Sequence, residues 1–80
     1  MEENPNPKLF AIGDHVQIDI VEFWPTFPTG TVIGHPRRTK VRLGWTYAYH
    51  VKFDTPPYDS LGEGPFESAM ILDKHLKRVQ

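Results

Sequence analysis

The chain contains no cysteine. This excludes disulfides, thiolate zinc sites and cysteine nucleophiles together. It has no run of 18 apolar residues, so no membrane-spanning helix and no membrane partner are expected. Nor does it open on a basic segment followed by an apolar stretch and a small-residue cleavage site. No secretory signal is therefore expected, and the location is read as cytoplasmic. Charge of one sign is also lacking. Nine Lys and Arg stand against ten Asp and Glu, a formal net charge of −1, whereas a general polyanion binder of this size is usually clearly basic. No segment repeats apolar residues at the 3.6-residue spacing of an amphipathic helix, so no helix longer than about one turn is expected. Gly62-Glu63-Gly64 lacks the lysine and the following helix of a phosphate loop. A serine-centred nucleophile elbow is missing as well.

What the sequence does have is rings and prolines: five Phe, three Tyr, two Trp and eight Pro in 80 residues. That length allows one domain, and a domain this small without a disulfide must bury its large rings to be stable. Association with a partner or with further copies would add to that stability.

The periodicity is that of strands. Residues 1–8, rich in Glu, Asn and Pro, read as a disordered lead, and residues 9–80 as the folded domain. Ala11-Ile12-Gly13-Asp14 suits a turn with Gly13 at positive φ. From His15 to Val21 the apolar Val16, Ile18 and Ile20 alternate with Gln17 and Asp19. Residues 22–30 interrupt this with Pro25 and Pro28, and carry Phe23, Trp24 and Phe27 as an ordered aromatic loop. A short β-branched strand follows over residues 30–34. The basic stretch from His35 to Thr46 reads as a strand extension with a charged outer face. The longest alternation comes next. Trp45, Tyr47, Tyr49, Val51 and Phe53 share one face, and Thr46, Ala48, His50 and Lys52 share the other. Thr55 to Pro65 is a loop, Ser68 to Leu72 a fourth strand, Asp73 to Leu76 a single 3₁₀ turn, and Lys77 to Val79 the last strand. The expectation is an all-β, five-stranded small barrel, whose closure would remove exposed edges.

The residues that carry this pattern also resemble a family. Ile12-Gly13-Asp14-His15-Val16-Gln17-Ile18, Gly30-Thr31-Val32, Tyr49-His50-Val51-Lys52-Phe53-Asp54 and Leu76-Lys77-Arg78-Val79 resemble an SH3-like barrel of the bacterial KOW/Tudor-like kind. The resemblance covers about residues 10 to 79 and implies a one-turn 3₁₀ helix before the last strand. Members of such folds bind RNA or ribosomal proteins, serve as accessory subunits of redox complexes, or, in the type II dihydrofolate reductases, assemble into an enzymatic tetramer. The reductases carry a Val-Gln-Ile-Tyr strand late in the chain. Here Val16-Gln17-Ile18 stands in the first strand and is followed by Asp19. Function from fold is analogy alone.

Three constellations bear on function. Trp24 and Phe27 lie in a proline-stiffened loop, and the resemblance places Tyr58 and Phe66 across from them. Rigid rings flanked by proline can form a groove for a peptide or a protein surface. The same rings can instead plug the barrel ends, with Phe23 as the plug and Trp24 as the exposed ring. Arg37, Arg38, Lys40 and Arg42 place four cations within six residues, and Trp45 and Tyr47 follow. Such a stretch can track phosphates while the rings stack bases, or it can be a solvated strand face. His15, His35, His50 and His75 fall at no metal-ligand spacing, so no metal and no cofactor is expected. Asp14, Asp54 and Asp73 sit where turns begin and suit capping of backbone N–H groups. No catalytic residue is assigned. The sequence thus points to a non-catalytic binding module or accessory subunit that meets a protein partner through Trp24, Phe27, Tyr58 and Phe66. Nucleic-acid binding through the four cations is the alternative, and a homo-oligomer with a shared small-molecule pocket the third reading. The sequence leaves the oligomeric state open.

Overall fold

The long alternation after Gly44 forms one ten-residue strand, and the rest of the sheet is assembled around it. The computed structural model describes residues 9–79, so the lead read over residues 1–8 lies outside the described residues. The strands are β1 (His15–Ile18), β2 (Thr29–Val32), β3 (Arg37–Val41), β4 (Gly44–Phe53), β5 (Ser68–Leu72) and β6 (Leu76–Arg78), with a 3₁₀ turn at Asp73–His75. All pairings are antiparallel. One edge of β4 is shared: β2 pairs with its end, Val32 opposite Val51, and β3 with its beginning, Arg38 opposite Tyr47. β5 takes the other edge, Tyr49 opposite Ile71. β1 then joins β2, and β6 joins β1. The result is a curled, half-barrel-like antiparallel sheet, all-β apart from the 3₁₀ turn, and its shape is compatible with the SH3-like barrel expected. The sixth strand is the basic stretch itself. It runs as β3 only to Val41, because the chain reverses at Arg42-Leu43 and returns as β4.

The inner face holds Val16, Ile18, Val32, Tyr49, Val51, Phe53, Ile71 and Leu76, joined by Phe10 and Trp24 from outside the strands. Phe10 meets Tyr49 edge-on at 5.3 Å, and its backbone N–H donates to the Tyr49 hydroxyl at 3.1 Å. This bond gives the hydroxyl oxygen of a fully buried tyrosine a donor. Gly30 permits the close approach of β2 to β4, since a Cβ there would stand 2.4 Å from the carbonyl oxygen of Lys52. Gly13 takes φ +97° in the Ala11–Asp14 turn, as its position suggests, and the Asp14 carboxylate accepts the Ala11 N–H at 2.9 Å.

The alternation of β4 holds from Tyr49 to Phe53 and changes before it. Trp45 is 39% exposed, while Thr46 and Ala48 are buried. The expected inward position of Trp45 is therefore corrected. The chain turns over the outer face at this end of the strand. Leu72 lies opposite Ala48, and the Thr46 hydroxyl donates to the buried Asp73 carboxyl in the 3₁₀ turn. The inner face here runs past the end of the core, and its ring is left at the surface.

Candidate functional site

Two loops meet at one end of the sheet: residues 19–28, between β1 and β2, and residues 54–67, between β4 and β5. The first is coiled into successive turns, with the N–H groups of Phe23 and Trp24 donating to the Ile20 carbonyl and that of Phe27 donating to the Trp24 carbonyl. The second is organised by Asp59, whose Oδ1 accepts the N–H groups of Leu61 and Glu63, each at 2.9 Å. Ser60 ties the loops together. Its N–H donates to the Phe23 carbonyl at 2.7 Å and its hydroxyl to the Glu22 carbonyl at 2.6 Å.

The junction reverses the roles read for two neighbouring rings. Trp24 is buried, 8% exposed, and packs edge-on against Phe53 and Phe66 with centroids 5.4 Å and 6.0 Å away. Phe23 is 56% exposed. Adjacent residues in a tight turn point in different directions, and here the larger ring turns inward. The indole N–H of Trp24 is buried without a hydrogen-bond partner among the described residues. Phe66 is half-buried as part of the same cluster. Trp24 and Phe66 thus support the site rather than present a surface, while Phe27 and Tyr58 are exposed.

A cleft of about 320 Å³ opens between the loops, lined by Phe27, Pro28, Pro56 and Pro57, with Thr26, Thr29, Asp54 and Thr55 as its polar members. Phe27 adopts φ +51°. This left-handed conformation is uncommon for a bulky non-glycine residue, and such outliers persist where surrounding structure imposes them. The imposed ring is one of the cleft's own side chains. Of the four aromatic residues expected to form a groove, Phe27 alone lines the cleft.

Asp54 brings charge to this cleft. Its Oδ2 accepts from the Thr29 hydroxyl at 2.7 Å and lies 2.6 Å from His15 Nε2. The His15 hydrogen bond, and then the Thr29 hydroxyl, hold the Asp54 carboxyl below its ordinary value of 3.8. Asp54 is thus partnered by side chains rather than by the backbone N–H groups expected of it. Oδ1 takes no hydrogen bond among the described residues. Sequence reading missed this trio because it depends on register. His15 lies opposite Thr31, Gln17 opposite Thr29, and Thr31 opposite Lys52, which places His15, Thr29 and Asp54 on one outer face. Thr29 donates to the carboxylate and not to the imidazole, so its hydroxyl is not primed as a nucleophile.

The four cations lie elsewhere. Arg37, Arg38 and Lys40 are on β3 and Arg42 is in the turn after it, all exposed. Arg38 stands over Trp45, its guanidinium carbon 4.7 Å from the ring centroid. Among the described residues no group of three or more His, Cys, Asp or Glu is placed to hold a metal ion, and no helix is long and apolar enough to cross a membrane. Val16 and Ile18 are fully buried, so of the Val-Gln-Ile tripeptide only Gln17 reaches the surface. Comparison of the chain with family models, with curated proteins and with solved structures finds no match.

Proposed function

We propose that the chain is a non-catalytic binding module, an SH3-like barrel of the KOW/Tudor-like kind, whose loop cleft takes an extended, proline-containing segment of a protein partner. The observation that carries this reading is Phe27, an exposed ring in a strained backbone conformation on a cleft that it shares with Pro28, Pro56 and Pro57. Flat, rigid residues lose little conformational entropy on contact, so they favour a ligand that is itself stiff, as a polyproline II segment is. Asp54 adds direction. Its depressed pKa keeps it ionised at neutral pH, and its uncommitted Oδ1 would receive an arginine or lysine of the bound segment. A protein accessory role fits the same geometry.

The test is a heteronuclear NMR titration with a proline-rich peptide carrying one arginine. The expected result is a contiguous set of shifts at Phe27, Thr29, Asp54 and Pro57-adjacent amides. Phe27→Ala should abolish them, and Asp54→Asn should weaken binding only for the arginine-bearing peptide. Shifts confined to other surfaces, or binding that survives Phe27→Ala unchanged, would overturn the proposal.

A further inference from the structure

The charge of this chain is unevenly placed. Residues 23–53 hold five Lys and Arg and no Asp or Glu, although the whole chain has more acids than bases. Four of these cations fall on β3 and in the turn that follows it. Ion pairs on the described surface are found at His15–Asp54, Lys77–Asp19 and Arg78–Asp14, all outside the hairpin. Arg37, Lys40 and Arg42 are exposed and form no ion pair among the described residues.

The hairpin register adds a second feature. Arg38 lies opposite Tyr47 and Lys40 opposite Trp45, and directly opposed residues share a face. One face of the hairpin thus alternates two cations with two rings. Tyr47 is half-buried and packs on the core, which roots this face to the rest of the domain. Trp45 reaches the surface with the Arg38 guanidinium over its ring. Along the strand the backbone positions of Arg38 and Lys40 stand about 6.7 Å apart, on the face that carries the two rings.

We infer that this hairpin face binds single-stranded nucleic acid, its cations meeting phosphates and its Trp45–Arg38 stack receiving an unpaired base. The geometry favours a single strand over a duplex. Stacking on an indole or a guanidinium plane needs a base whose face is free. Because the rest of the chain is acidic, the attraction is local, and binding must depend on contacts with these few side chains rather than on a general positive field. The cleft at the loop junction takes no part, so the two proposals stand or fall separately.

The experiment uses fluorescein-labelled oligo-uridine, oligo-thymidine and a duplex of equal length, titrated with the full chain at about 50 mM and about 200 mM salt. With two or three phosphate contacts, from Lys40, Arg42 and Arg38, affinity for a single strand should fall roughly 7- to 20-fold over that range. The single strands should bind more tightly than the duplex. Trp45→Ala should weaken single-strand binding about fivefold or more, the loss expected when one stacked base is released. The double variant Lys40→Gln, Arg42→Gln, which leaves Arg38 on the Trp45 ring, should bind weakly and lose most of the salt dependence. Far-ultraviolet circular dichroism and thermal melts verify that each variant is folded, and Leu43→Ala serves as a hairpin-turn control that retains binding. No binding of any oligonucleotide at the lower salt would overturn the inference. So would a preference for duplex, unaltered affinity in folded Trp45→Ala, or equal binding of polyglutamate, which would reduce the hairpin to an unselective cationic patch.

Discussion

Trp24 and Phe23 offer the sharpest test of how this end of the molecule is built. The structure buries the first and exposes the second, although they are adjacent and both aromatic. Truncating a buried Trp to Ala typically costs about 3–5 kcal/mol, combining lost transfer energy with the cavity left behind. Trp24 belongs in that range, because its ring contacts Phe53 and Phe66 edge-on and each such pair adds roughly 0.5–1.5 kcal/mol beyond area alone. A chain of 80 residues has a total stability on the order of 4–12 kcal/mol, so Trp24→Ala should remove a large part of it. Phe23→Ala should cost under about 1 kcal/mol, since its ring is mostly in water, tilted against that of Trp24 with centroids 6.1 Å apart. Trp24→Phe separates ring burial from the indole N–H. It gives up part of the ring but also removes a buried donor with no partner, a group that costs about 1–3 kcal/mol when left unsatisfied. Its net effect should be far smaller than that of Trp24→Ala. Urea unfolding followed by circular dichroism reads all three. With a slope near 1 kcal/mol per molar, the midpoint for Trp24→Ala should fall by about 3 M or more, or the variant should be unfolded without urea. A Phe23→Ala variant as damaged as Trp24→Ala would refute the reasoning, and so would a Trp24→Ala variant of wild-type stability.

Three further outcomes follow from the same structure. Gly30→Ala should destabilise by about 1–3 kcal/mol or prevent folding, because its new methyl would collide with the Lys52 carbonyl and the Val51 side chain; a denaturation midpoint equal to wild type would show that β2 and β4 are not this close. Thr46→Val should cost about 1–3 kcal/mol by leaving the buried Asp73 carboxyl without its hydroxyl donor, measurable as a drop in thermal midpoint of several degrees. Acid should weaken the fold through Asp14 and Asp54. Both are held below 3.8 in the folded chain, Asp14 by the Ala11 N–H and then Arg78, Asp54 by His15 and then Thr29. A depressed carboxyl binds fewer protons when folded, so its contribution is complete above 3.8 and is lost as pH falls through the folded-state value. The stability gap between wild type and Asp54→Asn should therefore be present above about pH 4 and close as pH falls below it; a gap that persists undiminished in strong acid contradicts the pairing.

The alternation after Gly44 made the central strand legible, because a period of two over so many residues has one structural solution. Tyr49, Val51 and Phe53 obey it, and so do His50 and Lys52. Trp45 and Thr46 do not, because side-chain period reports only which residues share a face. Which face is covered depends on where β5 and the 3₁₀ turn cross, a long-range matter that local pattern cannot contain. The aromatic loop shows the same limit at shorter range. Its prolines announced an ordered loop, yet nothing local distinguishes Phe23 from Trp24 until Ser60 pins the turn from nearly forty residues away. Asp54, His15 and Thr29 were each visible as polar residues, but their meeting requires three strands in register, so no spacing could have signalled it. The basic run was different. Four cations in six residues are local information, and the hairpin needed only to fold back on itself to set Arg38 against Trp45. What could be read in advance therefore follows contact range. The hairpin face is a product of neighbours, whereas the loop cleft is a product of the whole sheet, and damage to distant packing such as Trp24 should disturb the cleft while leaving the Arg38–Trp45 stack largely in place.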